Sequence, residues 1–163
     1  MQIFKDTFKD ITFQEIININ NLKIIPINIK DFKHDDRIVS FDNLFDNGLA
    51  KAEEVNAEGI VSKIKIINDS DSLLFISDGE AIVGAKQNRI AERSVIIKDH
   101  SDTVVPVYCV ERGRWGYRGE KRFSKSEFSL SPRTREKKAE YLKSSDERNT
   151  QSMVWQDIEE FSE

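Results

Sequence analysis

Between Ile16 and Val110 the chain is written in short runs of β-branched residues, and this restricts its fold more than any other feature. Ala52 to Val55, Ile60 to Ile67, Leu73 to Ile76, Ala81 to Val83, Ser94 to Ile97 and Thr103 to Val110 are separated by clusters of Asn, Asp, Ser and Gly. Such clusters favour turns because their side chains bond the local backbone, while Val and Ile fit a pleated, half-buried surface. Lys63 and Lys65 alternate with Ile64 and Ile66, the period of a strand with one wet face. Short strands at this spacing, without long helices between them, predict a mainly β core, an antiparallel β-sandwich or jelly-roll-like arrangement, over βαβ winding.

Around this core the remaining elements follow. Phe4 and Phe8 at helical spacing predict a short amphipathic helix in residues 1–10. The stretch Ile16 to Ile29, broken by Asn20-Asn21, reads as two short strands or one bulged strand, with Pro26 demanding an edge position. Ser40 before apolar residues at i, i+3 and i+4, with Gly48 after them, predicts a short capped helix. Leu73 to Ile76 is expected to return from the turn Asn68 to Ser72 as a fully buried hairpin partner, and Gly84 to mark a bulge or close backbone approach. Gly113, Gly116 and Gly119 among arginines and aromatics read as a loop. Pro132 begins a charged helix to about Lys143, and Met153 to Ile158 a last short one. The expected organisation is one domain over 1–163: a β core at 12–111, a glycine- and arginine-rich loop at 112–130, and a helical tail at 131–162 packed on the core, α+β overall.

Charge adds a constraint. The net charge is −4, yet residues 112–143 carry 11 Lys/Arg against 4 Asp/Glu, net +7. Such a block attracts phosphate or nucleic acid when it is free, and is a solvated helix and loop when it is not. The single cysteine, Cys109, allows no internal disulfide, and His34 and His100 do not make a zinc site. No apolar run approaches the ~20 residues of a bilayer span, and the Met1 to Asp6 start lacks a signal-peptide pattern. The chain therefore reads as cytoplasmic, with no membrane association, no metal and no cofactor.

Two constellations can carry chemistry. In the first, Glu80 precedes Lys86, Gln87, Asn88 and Arg89. Amides that donate and accept beside cations that only donate suit a base edge, a ribose or a phosphate, with Glu80 holding hydroxyls or acting as a general base. The structural alternative pairs Glu80 with Arg89 and gives Gln87 and Asn88 to loop backbone. In the second, Glu111 leads into Arg112, Arg114, Trp115 and Tyr117, where guanidinium groups clamp an anion and aromatic faces stack a base. Cys109, in a strand pattern without a nearby histidine, reads as a buried thiol.

Asn68 to Asp71, Asp78-Gly79-Glu80, Val83 to Arg89, Pro106-Val107, Cys109 to Glu111 and Gly113-Arg114-Trp115 together give the chain a family likeness. It resembles the ADP-ribosylglycohydrolase and rhodanese-phosphatase associated protein domain of bacteria and phages, from about Ile11 to Ile158. The resemblance implies a nucleotide-like or ADP-ribose-derived ligand. The leading expectation is a binding domain in which Lys86, Arg89, Arg112 and Arg114 meet phosphate, Gln87 and Asn88 read base or ribose, and Trp115 or Tyr117 stacks. Two alternatives remain open: a hydrolase of a nucleotide or ADP-ribose derivative using Glu80 or Glu111 as base, and a module that docks a protein or nucleic acid through 112–143. A homo-oligomer is compatible with all three. The binding reading requires the fold to bring Glu111 to Trp115 alongside Lys86 to Arg89.

Overall fold

A computed structural model describes residues 11–30, 35–117, 122–143 and 147–160. Its backbone falls into two compact units, Met1–Asp36 and Arg37–Glu163. In the first, β1 (Ile11–Phe13) pairs antiparallel with β4 (Ile27–Ile29), and β2 (Ile17–Ile19) with β3 (Leu22–Ile24). Asn20, with φ 51°, opens the Asn20-Asn21 turn, a conformation asparagine tolerates better than most residues. Pro26 lies just before β4, which among the described strands pairs with β1 alone, and its carbonyl accepts from Gln14 N–H at 3.0 Å. The helix expected within 1–10 lies outside the described residues.

The second unit is built on a six-stranded antiparallel sheet. Its strands are β6 (Ala50–Glu54), β7 (Lys63–Asn68), β9 (Glu80–Gly84), β10 (Arg89–Ala91), β12 (Ser101–Cys109) and β13 (Phe123–Ser129), in the order β13-β9-β10-β12-β7-β6. The sheet curls until its edges, β6 and β13, touch. A three-stranded sheet closes the concave side: β11 (Val95–Ile97), β8 (Leu73–Ile76) and β5 (Ile38–Ser40), with β5 and β8 parallel. Between them lies the main core, where Ile64, Ile66, Ile82, Val105 and Val107 meet Phe41, Leu74, Ile76 and Ile97.

Helix α1 (Phe41–Asp46) plugs this core with Phe41 and Leu44, capped by the Ser40 hydroxyl accepting from Asn43 N–H at 3.4 Å. The opposite sheet face carries Ala81, Ile90 and Tyr108, and there α2 (Pro132–Lys143) and α3 (Glu147–Glu160) pack with Leu130, Met153 and Val154. Lys138, fully buried, ties α2 to the sheet through Asp78 and the Glu92 carbonyl. The fold is mainly β with C-terminal helices, the α+β class expected.

Three features depart from the sequence reading. Leu73 to Ile76 does not return as a hairpin partner of Ile60 to Ile67; β8 joins the other sheet, with its side chains alternately buried. Asn68 is the cause: it is fully buried, its amide donates to Ser72 O at 2.7 Å and Lys98 O at 2.9 Å, and its oxygen accepts from Ser70 N–H at 3.1 Å. The turn is thereby tied to the neighbouring loop and directs the chain across the core. Second, Phe123 to Ser129, expected within a loop, is edge strand β13; only Phe123 of it is buried, so it carries almost no apolar pattern. Third, Arg89 to Ala91 is a strand hidden inside a polar run, and the last helix is longer than Met153 to Ile158.

Gly84 sits where β9 meets β13 with φ 111°, and a Cβ there would stand 2.5 Å from the Arg122 carbonyl oxygen. Gly84→Ala is therefore expected to cost about 2–3 kcal/mol, from left-handed strain plus displacement of a paired backbone. Urea denaturation checks this, and a loss below about 0.5 kcal/mol would contradict it.

Candidate functional site

Strand pairing brings the two sequence constellations together. Arg89 lies opposite Cys109 in the β10-β12 ladder, and beyond it Val110 N–H donates to Asn88 O at 3.2 Å. The segment after Cys109 therefore runs beside the turn Ala85 to Asn88. Ala85 holds φ 45°, and Gly116 N–H donates to Lys86 O at 3.1 Å, closing the second loop onto the first.

The Glu111 carboxylate joins the loops. Its Oε2 accepts from Asn88 N–H and from Arg114 Nε, each at 2.8 Å, and from Arg114 Nη2. Arg114 also donates from Nη1 to Gly116 O at 3.0 Å and Ala85 O at 3.3 Å, and from Nη2 to Asn88 Oδ1 at 3.3 Å. That Asn88 oxygen accepts in turn from Gly84 N–H at 2.8 Å. Gln87 donates to Glu111 O at 3.2 Å. The amides thus serve loop backbone, as the structural alternative held, while Glu111 pairs with Arg114.

Beneath this network lies Arg89, with its side chain fully buried. Its Nη1 donates to Gln87 Oε1 at 2.8 Å, while Nε and Nη2 have no hydrogen-bond partner among the described residues. Burial pulls its pKa down, and the nearby Glu54 carboxylate does most to oppose that shift, ahead of Cys109 and Glu111. A guanidinium so placed remains charged. Glu54, at the end of β6, accepts from Lys86 N–H at 3.4 Å through Oε1, and its buried Oε2 has no hydrogen-bond partner among the described residues. Trp115 covers both groups: the Arg89 guanidinium lies 5.6 Å from its ring centroid, and a Cβ on Gly59 would touch both the Glu54 carboxylate and the indole edge. Lys86 sits 5.3 Å from the same ring and 5.7 Å from that of Tyr117, anchored by bonds to Ala57 O and Glu58 O.

Outside, Arg112 to Tyr117 line an open groove of about 540 Å³. Trp115 is 46 % and Tyr117 41 % exposed there. Arg112 lies over the Trp155 ring, 3.9 Å from Glu159 of α3. Cys109 is buried, and its backbone is grasped by Gln151, which donates to Cys109 O at 2.8 Å and accepts from its N–H at 2.9 Å. Glu80 stands apart at the opposite end of β9 from Gly84. Its carboxylate accepts from Ser77 N–H at 2.7 Å, so its pairing with Arg89 does not occur. Of the sequence-chosen residues the fold gathers Lys86, Gln87, Asn88, Arg89, Glu111, Arg114, Trp115 and Tyr117, with Arg112 on the rim. Glu54 and Gln151 were missed: one is a carboxylate in an ordinary strand run, the other a helix residue from far along the chain.

Among the described residues no cluster of three or more His, Cys, Asp or Glu side chains could hold a metal, and no helix is long and apolar enough to cross a membrane.

A family model, the ARG and Rhodanese-Phosphatase-superfamily-associated Protein domain, matches residues 10–163. The chain belongs to this family. No curated protein and no solved structure shows significant similarity to it. In this member of the associated-protein family the matched span takes in every described strand and helix and both loops of the candidate site.

Glu80 offers a pH test. Burial raises its pKa first of all, Asp42 adds to the rise, and the Ser77 N–H opposes it. The folded state thus holds this proton more tightly than the unfolded chain. The resulting stabilisation is complete below the ordinary carboxylate range and is lost as pH rises through the elevated value. Glu80→Gln keeps an acceptor for Ser77 N–H without the charge, so it is expected to raise Tm at neutral pH, with the gain vanishing by about pH 4. A lower Tm at neutral pH, or an equal gain at both values, would contradict this.

Proposed function

We propose that this domain binds a phosphorylated nucleotide or an ADP-ribose-derived ligand in the groove lined by Arg112 to Tyr117. The observation that carries the reading is Trp115: an aromatic face nearly half exposed, on a loop whose backbone is pinned at Arg114 and Gly116, above the cations Lys86 and Arg89. A rigid, positively backed ring stacks a base at little ordering cost, and such a stack is worth about 1–3 kcal/mol. The family's association with ADP-ribosylglycohydrolases and rhodanese-phosphatases supports the same ligand class.

The roles divide more sharply than residue type suggests. Trp115 and Tyr117 supply the stacking surface, and Arg112 at the rim meets phosphate. Arg89 contributes its field from below. Lys86, Gln87, Asn88 and Arg114 direct their polar groups into the loops and hold the platform in place. Binding is favoured over hydrolysis because the Glu111 carboxylate is already taken up by Arg114 and the Asn88 N–H within the loop network. Part of the basic segment is likewise engaged: Arg114, Lys125, Lys137 and Lys138 each face a carboxylate.

Thermal-shift measurements with ADP-ribose, NAD and a nucleoside diphosphate test the proposal. At least one should raise Tm, and Trp115→Leu, which keeps an apolar cover over Arg89, should weaken its binding by about 10-fold or more. No shift with any of them, or a shift that Trp115→Leu leaves intact, would overturn it. Salt-sensitive binding of RNA in their place would point to the nucleic-acid alternative.

A further inference from the structure

Beneath Trp115 lie three buried side-chain atoms that no described residue satisfies: Nε and Nη2 of Arg89 and Oε2 of Glu54. Arg89 is fully buried, and its remaining nitrogen, Nη1, is taken by Gln87 at 2.8 Å. The two free nitrogens are the side-on pair of the guanidinium, parallel donors in a fixed fork. They do not meet the Glu54 oxygen, and the other oxygen of that carboxylate, Oε1, faces Lys86 N–H at 3.4 Å. Even so, the field of Glu54 is the chief support of the Arg89 charge against burial.

A charged donor fork and a carboxylate oxygen left unsatisfied in the interior are destabilising, and apolar side chains of the same volume would avoid that cost. The arrangement is completed when a group from outside supplies what both lack. An approach exists at Gly59, a half-buried residue in the loop between β6 and β7. A Cβ there would stand 3.0 Å from Glu54 Oε2 and 3.3 Å from Trp115 Cη2, so the missing side chain leaves space between the carboxylate and the indole edge.

We propose that Arg89 and Glu54 form an inner subsite for the vicinal diol of a ribose, entering past Gly59 at the edge of Trp115. This inference rests on the nucleotide reading and names the part of the ligand held beneath the ring. Glu54 disfavours a second anion there, and Arg89 a second cation. A group that only accepts leaves Glu54 unmet, and one that only donates leaves the fork unmet. Two adjacent hydroxyls are neutral, present side-by-side oxygens to the parallel N–H donors, and donate in turn to Glu54 Oε2. In a nucleotide whose base stacks on Trp115 the sugar is the next group along, which leaves the phosphates for Arg112 at the rim.

Titration calorimetry of the full chain with ADP and 2′-deoxy-ADP tests this. The wild type should bind ADP about 10-fold or more tighter, because the missing hydroxyl leaves a charged group unmet. The double substitution Glu54→Leu and Arg89→Met removes both charges together, the change a buried pair tolerates best, and should bind the two nucleotides alike. Gly59→Asn, at a φ of +75° that asparagine tolerates, puts a Cβ in the approach and should also erase the preference. Both variants are read by the ratio of the two affinities, which a general loosening of the loops does not change. Equal binding of the two nucleotides by the wild type, as with a bridging water only, or a preference that survives either variant, would overturn the inference and leave the nucleotide reading standing. Failure of ADP to bind would overturn it as well, and the nucleotide reading falls with it when ADP-ribose and NAD also fail to bind.

Discussion

One carboxylate holds the candidate site together. Glu111 Oε2 takes hydrogen bonds from Arg114 and from the Asn88 backbone, and Arg114 spends its remaining donors on Ala85 O, Gly116 O and Asn88 Oδ1. Charge-assisted bonds of this kind are roughly twice as strong as neutral ones, and in a half-buried setting each member fixes the next. Ala85 in the left-handed region and Gly84 against the Arg122 carbonyl keep conformations an isolated loop would abandon, because the network and the β9-β13 edge enforce them. Trp115 inherits its position from this arrangement, between two anchored residues.

The same logic operates beneath and behind the groove. Arg89 is a strand residue with its charge in the protein interior, tolerated through Gln87, the field of Glu54 and the indole above it. On the far face of the sheet, Lys138 reaches Asp78 and the Glu92 carbonyl, and Asp157 joins Lys137 and Thr134 across the two C-terminal helices. Several charges of the sequence's basic block, Arg114, Lys137 and Lys138 among them, are thus fasteners in the fold. In the groove that leaves Trp115 and Tyr117 as exposed aromatic surface, with Arg112 at the rim.

Much of this was legible in the residues. The alternation of Ile64 and Ile66 with lysines, the Ser40 cap, the Asn20-Asn21 turn and the start at Pro132 each appear where local physics puts them. The adjacency of Lys86 to Arg89 with Glu111 to Trp115 stood in the sequence only as a condition of the binding reading; the pairing of Arg89 with Cys109 meets it. What stayed hidden depends on partners distant in sequence. β8 changes sheets because Asn68 bonds Lys98, β13 exists because one edge of β9 needs a neighbour, and Arg89 is buried because Glu54 and Trp115 converge on it. Local pattern carries no record of such pairings. Nor does it say whether an arginine faces a ligand or a glutamate, which is why Arg114 read as an anion clamp while it clamps Glu111.

The central claim is that Glu111 and Arg114 act as one unit that orders both loops. A double-mutant cycle on stability, using Glu111→Gln, Arg114→Gln and the double variant in urea denaturation, addresses it most directly. The account predicts strong coupling, with the double variant losing far less than the sum of the singles and an interaction energy of about 1–3 kcal/mol. Losses that add to within about 0.5 kcal/mol would show that the two side chains act independently, and would contradict it.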